Sequence, residues 1–338
     1  MTKAIILVGG EGTRLRPLTY TRPKPMLPVA GVSILERKLE HMARHGVTEA
    51  VLSLGYKPDA FIQAFPTGSA CGVTLHYAVE PSPLDTAGAI RFAAGAAGWL
   101  DETEPLVVVN GDVLTEIDLT AQLARHRETG AEATLALTQV EDPSAFGVVP
   151  TDDSGRVIAF VEKPPRDEAP TDWINAGTYI LNPSVFARIP EGRKVSIERV
   201  TFPAIAAEGG LYAIHSPAYW LDAGTPQLFL QANTDWLERH HQGRSCVGAG
   251  VTVAADAVIV RSVIGDGCVV ESKARLTDAV LLPGVRVGAK AVVRQSIIGG
   301  NVVIGAGAEI TETSVIGDGV TIEPTVVLRG ERVGLNAP

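Results

Sequence analysis

The chain opens with Ala4-Ile5-Ile6-Leu7-Val8-Gly9-Gly10-Glu11-Gly12-Thr13, a continuously apolar run that passes directly into a glycine-rich turn. Such a run predicts a strand at Ala4–Val8 that helices cover on both faces. Further apolar runs at Ala50–Leu54, Val73–Val79 and Leu106–Val109 predict three more strands, with helical patterns between them. This alternation predicts an α/β domain with a mixed, mostly parallel sheet.

Other elements of this first part follow from the same periodicities. Ser33 and Glu36 fit a capping box at the start of a helix that reaches about His45. The remaining predicted elements are helices at Ala87–Ala97 and Pro226–His240 and strands at Thr134–Val140, Val157–Val161, Ala176–Leu181 and Leu211–His215.

Beyond Gln242 the periodicity changes, and no Phe, Trp or Tyr follows Trp236. Aliphatic residues recur there at intervals of five or six, a fixed period that marks a solenoid. Three repeats per turn predict a triangular β-helix of about five coils over residues 247–330, with glycine at its tight corners. We therefore predict two domains, 1–242 and 243–338. The recurring positions are Val247, Val253, Ile259, Ile264, Val270, Leu276, Leu281, Val287, Val293, Ile298, Ile304, Ile310, Ile316, Ile322 and Leu328.

Composition limits the classes of partner. The 338 residues carry a formal net charge of -9, which argues against binding to a nucleic-acid polymer or to an anionic membrane surface. Cys71, Cys246 and Cys268 form no CxxC pair, so neither a disulfide framework nor a zinc site is predicted. The first apolar run is too short for a signal peptide or a membrane span, and we expect a cytoplasmic protein.

The glycine-rich turn is followed by four cations within eleven residues: Arg14, Arg16, Arg22 and Lys24. Glycine lets the main chain approach phosphate oxygens and offer its N–H groups to them. A dinucleotide fingerprint would need glycine at Leu15, and a Walker loop would need a Lys-Ser or Lys-Thr pair that this stretch lacks. The combination predicts a different kind of polyphosphate site.

The stretch 7–19, together with Pro23-Lys24-Pro25-Met26-Leu27-Pro28, closely resembles the signature of the sugar-1-phosphate nucleotidyltransferases. The resemblance extends over nearly the whole chain and is greatest to bacterial mannose-1-phosphate guanylyltransferases, also called GDP-mannose pyrophosphorylases. It implies a Rossmann-like nucleotidyltransferase domain followed by a left-handed parallel β-helix of hexapeptide repeats. It also implies transfer of a nucleotidyl group from an NTP to a sugar 1-phosphate by in-line displacement, with release of pyrophosphate.

The resemblance also implies roles for individual residues. Arg14 would hold the triphosphate, Lys24 would neutralise charge at the α-phosphate, and Asp112 and Asp222 would hold Mg²⁺. The full implied nucleotide-binding set is Leu7, Gly9, Gly10, Gly12, Thr13, Arg14, Lys24, Glu80, Asp85, Thr86 and Asp112.

Three further motifs match the acceptor side of the family. Phe146-Gly147-Val148 would contact the sugar through the main chain of Gly147. In Val161-Glu162-Lys163-Pro164, Glu162 would accept hydrogen bonds from sugar hydroxyls and Lys163 would bind the sugar phosphate. Asn175, in Asn175-Ala176-Gly177, would contact the hexose.

Two nucleotide specificities remain open. Glu80 stands where the family reads the base, and a carboxylate can accept two hydrogen bonds from guanine, which favours GTP with mannose 1-phosphate. Pro81-Ser82-Pro83, however, looks like the thymidylyltransferase version, and Asp85 departs from the common Leu-Gly-Thr-Ala-Gly pattern. The alternative is therefore UTP or dTTP with glucose 1-phosphate.

Other classes of function make different demands on the sequence. Acyl transfer by a hexapeptide β-helix generally needs a histidine base, and the last histidine, His241, precedes the repeats. A non-catalytic regulatory subunit would be expected to have lost Arg14, Lys24, Asp112 or Asp222, and all four are present. The open ends and flat faces of the β-helix predict a homo-oligomer, a dimer or a tetramer.

Overall fold

The computed structural model describes residues 2–334, so Met1 and the last four residues of the predicted C-terminal domain, 335–338, lie outside the described residues. The chain forms two compact units. The first contains the chain up to Gly10 and Leu35–Trp220, and the second contains Glu11–Ile34 and the chain from Leu221 onward. Among residues 2–334, every helix is too short or too polar to cross a lipid bilayer.

Six α-helices occur among the described residues, and they confirm the three predicted helices to within a few residues. A single π-helical turn, Ile197–Thr201, precedes the fifth. In chain order the helices are α1 (Ile34–Arg44), α2 (Pro58–Ala64), α3 (Asp85–Ala96), α4 (Leu119–Thr129), α5 (Phe202–Ala207) and α6 (Pro226–His241).

Fourteen short strands precede the repeats. They are β1 (Thr2–Leu7), β2 (Pro28–Val29), β3 (Val32–Ser33), β4 (Val47–Leu54), β5 (Ser69–Ala70), β6 (Val73–Val79), β7 (Leu106–Asn110), β8 (Val113–Thr115), β9 (Ala133–Gln139), β10 (Gly147–Val148), β11 (Val161–Glu162), β12 (Trp173–Leu181), β13 (Leu211–His215) and β14 (Trp220–Asp222).

The first unit is built on one ten-stranded sheet whose main path runs β11-β10-β12-β7-β1-β4-β6-β5, with β9 joining β12 to β13. The central strand β1 is parallel to both β4 and β7, whereas β12 is antiparallel to β7. The predicted mixed, mostly parallel sheet is confirmed. Ala4, Ile5 and Ile6 are fully buried in β1, because helices cover both faces of the sheet.

One predicted strand is wrong. The predicted strand Val157–Val161 is not continuous. Val157 makes only an isolated bridge to Thr151, and regular strand structure begins only at Val161, in β11. The cause is the tight turn before it, where the Asp152 carboxylate accepts the Ser154 and Arg156 N–H groups at 2.9 and 3.0 Å. That local bonding competes with a sheet ladder.

The repeats form three sheets of parallel strands, six, five and five strands deep, as predicted for the left-handed β-helix. Every predicted aliphatic position lies in one of these strands. They are β15 (Cys246–Val247), β16 (Thr252–Val253), β17 (Val258–Val260), β18 (Val263–Ile264), β19 (Val269–Val270), β20 (Arg275–Thr277), β21 (Val280–Leu281), β22 (Arg286–Val287), β23 (Val292–Arg294), β24 (Ile297–Ile298), β25 (Val303–Ile304), β26 (Glu309–Thr311), β27 (Val315–Ile316), β28 (Thr321–Ile322), β29 (Val327–Arg329) and β30 (Arg332–Val333).

Glycine at the β-helix corners has a steric reason. A Cβ on Gly265 would lie 2.6 Å from the main-chain nitrogen of Pro283 in the next coil, and one on Gly299 would lie 2.6 Å from that of Asp318. Beside Gly265 and Gly299 the next coil therefore stacks too closely for a side chain, whereas Leu282 occupies the equivalent position in the coil between them.

Candidate active site

In the second unit, the segment Glu11–Pro28 carries the cations identified in the sequence, and we call it the signature loop. It consists mainly of three single turns of 3₁₀-helix, Thr13–Leu15, Leu18–Tyr20 and Lys24–Met26. Gly12 caps the first of these turns with a φ of +63°, and a Cβ there would lie 3.1 Å from the side chains of both Lys24 and Thr19. The Thr19 hydroxyl donates to the Gly12 carbonyl at 2.9 Å. These contacts fold the loop back on itself.

Two cations of the signature loop face one carboxylate. The Lys24 ammonium, whose side chain is 5% exposed, forms an ion pair with Oδ1 of Asp222. The Arg14 guanidinium lies 3.5 Å from Oδ2 of the same carboxylate, and its side chain is 63% exposed. A Cβ on Gly224 would lie 2.6 Å from Nη2 of Arg14, so glycine leaves room for the guanidinium. Asp222 therefore pairs with one buried and one exposed cation.

The chemistry of Asp222 and Asp112 suits a hard divalent cation. Each carboxylate oxygen offers about two lone-pair directions, so Asp222 can accept from Lys24 and still bind a metal ion. Mg²⁺ commonly takes only one or two protein carboxylates and completes its shell with phosphate and water. Within residues 2–334, no group of three or more His, Cys, Asp or Glu side chains is arranged to hold a metal. Each of the two carboxylates is therefore a ligand of the kind that Mg²⁺ binds alongside phosphate and water.

In the first unit, the carboxyl ends of the central strands meet at one edge of the sheet. Leu7, the last residue of β1, is in register with Asn110 of β7 and Ser53 of β4. The Leu7 carbonyl accepts the Gly111 N–H at 2.8 Å, and this places Asp112, half-buried, directly beyond β7. Ligands of open α/β sheets bind at such an edge.

Glu80 is held at the same edge by two hydrogen bonds. Its Oε1 accepts from the Ser53 hydroxyl and its Oε2 accepts from the Leu84 N–H, both at 3.1 Å. A Cβ on Gly9 would lie 3.5 Å from Oε1, whereas nothing lies within 4 Å of such an atom on Gly10. The carboxylate is therefore fixed beside the glycine turn, with open space at Gly10.

The main-chain conformation at Asp85 accounts for the departure of this position from the family pattern. It has a φ of +60°, the left-handed conformation that glycine adopts most easily and that aspartate tolerates better than most residues. Its carboxylate accepts the Thr86 N–H at 2.8 Å. The main-chain shape expected of glycine is thus present here with a side chain attached.

The Thr86 hydroxyl is engaged within the first unit. It donates to Oε2 of Glu198 at 2.6 Å and accepts the Ile197 N–H at 2.8 Å. The Val195 carbonyl accepts the N–H groups of Ala87 and Gly88, which are in the first turn of α3. The start of α3 is therefore tied to the segment 195–198.

Among the residues that the sequence assigns to the sugar phosphate, β10 and β11 pair Gly147 directly with Glu162. A Cβ on Gly147 would lie 2.6 Å from the Phe160 ring and 3.1 Å from Oε2 of Glu162, so glycine is required. Lys163 has a φ of +51° and its ammonium lies 3.5 Å from Oε1 of Glu162. Gly147, Glu162 and Lys163 thus form one group.

Asn175 lies in β12 beside a bulge at Gly177. Its Nδ2 donates to the hydroxyl of the buried Tyr179 at 2.9 Å, and its Oδ1 accepts the Gly177 N–H at 3.0 Å. Burial raises the pKa of Tyr179, so the hydroxyl stays neutral. Gly177 has a φ of +69°, and a Cβ there would lie 2.5 Å from the Asn110 amide. The bulge therefore orients Asn175 and brings Asn110 close to β12.

Three residues that contact the candidate site residues were not identified from the sequence: Ser53, Glu198 and Asn110. Ser53 is the only polar residue of the buried apolar run Ala50–Leu54, a signal that could have been used. Glu198 and Asn110 carry no such signal, because their partners lie 112 and 67 positions away in the chain. Long-range contacts of this kind cannot be inferred from one sequence.

Comparison with known proteins places the chain in a family. Residues 3–239, more than two thirds of the chain, match the family model described as nucleotidyl transferase. This chain belongs to the nucleotidyl transferase family. Residues 241–337 of this nucleotidyl transferase match a second family model, described as the GMPPB C-terminal domain. The family that the residues of the signature loop predicted is confirmed.

Similar proteins carry a more specific name. The chain is 43% identical over 289 residues to a mannose-1-phosphate guanylyltransferase of Mycobacterium tuberculosis, covering 82% of this chain and 79% of that one. It is 38% identical over 299 residues to mannose-1-phosphate guanylyltransferase 1 of Arabidopsis thaliana, covering 83% and 81%.

Solved structures of related fold are also similar. The nucleotidyl transferase superposes on HddC from Yersinia pseudotuberculosis in complex with GMP-PN with a TM-score of 0.59 and 29% identity, over 70% of this chain and all of that one. A glucose-1-phosphate thymidylyltransferase from Bacillus anthracis, named as putative, gives a TM-score of 0.62 at 24% identity over 69% and 94%, and this shows the fold alone.

Proposed function

We propose that this nucleotidyl transferase transfers GMP from GTP to mannose 1-phosphate and releases pyrophosphate. Two relatives that match about four fifths of the chain bear the corresponding enzyme name. A structural neighbour in complex with GMP-PN supports a guanine nucleotide as donor. The alternative substrates are UTP or dTTP with glucose 1-phosphate. The experiment below distinguishes them from GTP with mannose 1-phosphate.

The observation that carries the proposal is the pairing of Lys24 and Arg14 with Asp222. In the reaction an oxygen of the sugar phosphate attacks the α-phosphorus, and the bond from that phosphorus to the bridging oxygen of pyrophosphate breaks. The protein needs fixed positive charge around these groups and no covalent nucleophile. We infer that Lys24 neutralises the α-phosphate and that Arg14 binds the triphosphate and stabilises the leaving pyrophosphate.

The rest of the nucleotide would be bound mainly by the main chain. We assign this role to Leu7, Gly9, Gly10, Gly12 and Thr13, because the three glycines let the main chain of this segment approach phosphate oxygens closely. Glu80 is the base-reading residue in this proposal, because its two carboxylate oxygens can accept from the N1–H and the exocyclic amine of guanine. Asp85 and Thr86 would complete the base-binding turn.

We assign Mg²⁺ to Asp112 and Asp222. Bound there, the ion would supply positive charge to the triphosphate oxygens. Asp222 then has two roles, because it also orients Lys24 and Arg14.

The acceptor would be recognised by the group around Gly147 and Asn175. Glu162 and Asn175 would hydrogen-bond the hydroxyls of mannose, and Lys163, whose side chain is 57% exposed, would bind its phosphate. Epimers such as glucose differ only in hydroxyl orientation, which these two polar side chains can sense.

We also propose a homo-oligomer, a dimer or a tetramer, assembled through the β-helix. Val247, Val253, Val258 and Val260 of its first coil are 40–50% exposed. Exposed apolar residues at the end of a solenoid favour association. Light scattering should give at least twice the chain mass of 35.5 kDa, and a monomeric mass would contradict this. The cytoplasmic location stays a prediction of the sequence.

A pyrophosphate-release assay tests the function. The protein is incubated with Mg²⁺ and each of GTP, UTP, dTTP, ATP and CTP, separately combined with mannose 1-phosphate and glucose 1-phosphate. The proposal predicts that GTP with mannose 1-phosphate gives the highest kcat/KM. A higher value for UTP or dTTP with glucose 1-phosphate would establish the alternative instead.

A further inference from the structure

The signature loop contacts the last coils of the β-helix within the second unit. Pro17, which is buried, lies between the turns Thr13–Leu15 and Leu18–Tyr20 of this loop. A Cβ on Gly334 would lie 2.5 Å from Cβ of Pro17 and 2.9 Å from its Cγ, and one on Gly317 would lie 3.1 Å from the Pro17 Cβ. Both glycines are thus needed to admit the proline ring.

Gly317 and Gly334 belong to the same corner of the β-helix as Gly265 and Gly299. They follow β27 and β30, whose residues are paired in register. At the earlier corners the space beside glycine is filled by the backbone of the next coil, 2.6 Å from where a Cβ would be. At Gly334, the last of the series, Pro17 fills that space. The signature loop therefore caps the stack at the end where a further coil would lie.

Polar contacts reinforce the cap. The Thr21 hydroxyl donates to Oδ2 of Asp318 at 2.7 Å, and Oδ1 of the same carboxylate accepts the Gly300 N–H at 2.7 Å. Arg332 donates to the carbonyl of Arg16 at 3.4 Å. The Asp318 carboxylate thus binds both Gly300, at the corner of the preceding coil, and Thr21 of the signature loop.

The capped segment 16–21 lies between the two cations that pair with Asp222. Arg14 precedes it by two residues and Lys24 follows it by three. The loop's own fold connects the two regions, because Thr19 donates to Gly12 and a Cβ on Gly12 would touch Lys24. A shift of Pro17 or Thr21 would consequently move the groups that are assigned to the triphosphate.

We propose that the last two coils of the β-helix position the signature loop for the nucleotide. Pro17, Thr21, Gly317, Asp318 and Gly334 are positioning residues in this account, which rests on the proposed function for the identity of the bound nucleotide. Solenoid ends need a cap in any case. Here the cap is the loop that carries the phosphate-binding cations, so the β-helix contributes to catalysis as well as to assembly.

The test uses the full chain with Thr21→Val, Gly334→Ala and the two combined. The first change removes the hydroxyl at nearly constant volume, and the second adds one methyl group against Pro17. Thr321→Val is the matched control, because Thr321 is exposed in β28. Two readouts are compared: amide hydrogen exchange of residues 11–28 without substrate, and KM for GTP and for mannose 1-phosphate.

We expect faster exchange in the signature loop of the double variant and a KM for GTP raised at least fivefold, with the KM for mannose 1-phosphate within twofold of the wild-type value. The control should match the wild type in both readouts. Unchanged exchange in the double variant would overturn the cap, and faster exchange with an unchanged KM for GTP would overturn the positioning role. A wild-type protein inactive with every nucleotide would refute the proposed function, and the exchange rates alone would then decide whether the coils hold the loop.

Discussion

At Asp222 one carboxylate faces two cations that differ in their exposure. Lys24 is almost fully buried, whereas Arg14 is mostly open to solvent. A buried ammonium is costly without its counter-ion, so Asp222 makes the charge of Lys24 tolerable in this position. The exposed guanidinium keeps most of its donors available for phosphate oxygens.

Replacing this carboxylate should affect activity and stability together. In Asp222→Asn, the buried ammonium loses its ion pair with this carboxylate, so we expect turnover to fall at least 100-fold and the free energy of unfolding to fall by about 2 kcal/mol. Asp153→Asn changes an exposed loop carboxylate and should alter neither. Pyrophosphate release and urea denaturation measure the two effects, and near-normal turnover of Asp222→Asn would remove this residue from the site.

Lys163 gives a prediction specific to the acceptor. Losing one charged hydrogen bond costs about 1.5–3 kcal/mol, so Lys163→Ala should raise the KM for mannose 1-phosphate roughly tenfold or more with little change in the KM for GTP. Lys290→Ala is the matched control, because Lys290 also has a left-handed φ, +61° against +51°, and is exposed in the β-helix. An unchanged KM for the sugar phosphate would contradict the role of Lys163.

A buried histidine makes stability depend on pH. The pKa of His41 is lowered to about 4, mainly by burial; the Ile117 carbonyl, which accepts from Nε2 at 2.9 Å, opposes the shift, and the nearby Lys38, His45 and Arg44 contribute to it. Because the unfolded chain takes up the proton first, the contribution of His41 is complete above pH 6.5 and is lost as the pH falls toward 4.

The expected loss is on the order of 3 kcal/mol for this group. His41→Gln keeps an N–H donor and removes the titration, so its free energy of unfolding should fall less than that of the wild type between pH 7 and pH 4.5. Urea denaturation at several pH values measures the slope for both proteins. Equal slopes would show that His41 is not buried in its neutral form.

At the scale of elements, the bulge in β12 connects a local backbone requirement to Asn175, which we assign to the sugar phosphate. The register of β12 against β9 shifts between Asn175 and Tyr179, around the positive φ of Gly177. The sequence contains the Asn-Ala-Gly motif but no indication of the bulge, because the space against Asn110 depends on how β7 packs beside β12.

Gly177→Ala tests this requirement. Strain at a positive φ together with a clash against Asn110 should lower the free energy of unfolding by about 2–4 kcal/mol and weaken use of the sugar phosphate. Gly192→Ala is the matched control, since Gly192 has a φ of +64° with nothing within 4 Å of a Cβ, and it should cost only about 1 kcal/mol. Equal losses in both variants would show that the contact with Asn110 is unimportant.

Regular elements were predictable where a local pattern determined them. The repeat positions fixed every β-helix strand from Val247 to Leu328, because an inward aliphatic residue at each face is what allows the coils to stack. The failure at Val157–Val161 came from Asp152, whose local hydrogen bonds outweigh the apolar run that follows.

For the whole molecule, the change in composition at Trp236 has a structural cause. The first unit buries large aromatic residues such as Tyr179, Phe202 and Phe61, whereas the core of the β-helix consists of Val, Ile, Leu, Ala and Cys268. The narrow interior of the coils leaves no room for rings. The acidic net charge of -9 likewise coexists with a local group of cations in the signature loop.

The candidate site was predictable residue by residue but not as an arrangement. Family resemblance identified Arg14, Lys24 and Asp222, yet the pairing of Lys24 with Asp222 joins positions 198 residues apart. The grouping of the signature loop with the β-helix in one compact unit was equally hidden, because nothing in the residues 11–34 indicates which distant coil they contact.

A competition assay tests the central claim most directly. The full chain is supplied with equal concentrations of GTP, UTP and dTTP and of mannose 1-phosphate and glucose 1-phosphate, with Mg²⁺, and the first sugar nucleotides formed are identified by mass spectrometry. Product ratios in such a mixture report ratios of kcat/KM. We predict GDP-hexose as the main early product, with the hexose assigned to mannose by repeating the assay with isotopically labelled mannose 1-phosphate. Predominant UDP-glucose or dTDP-glucose would contradict the account.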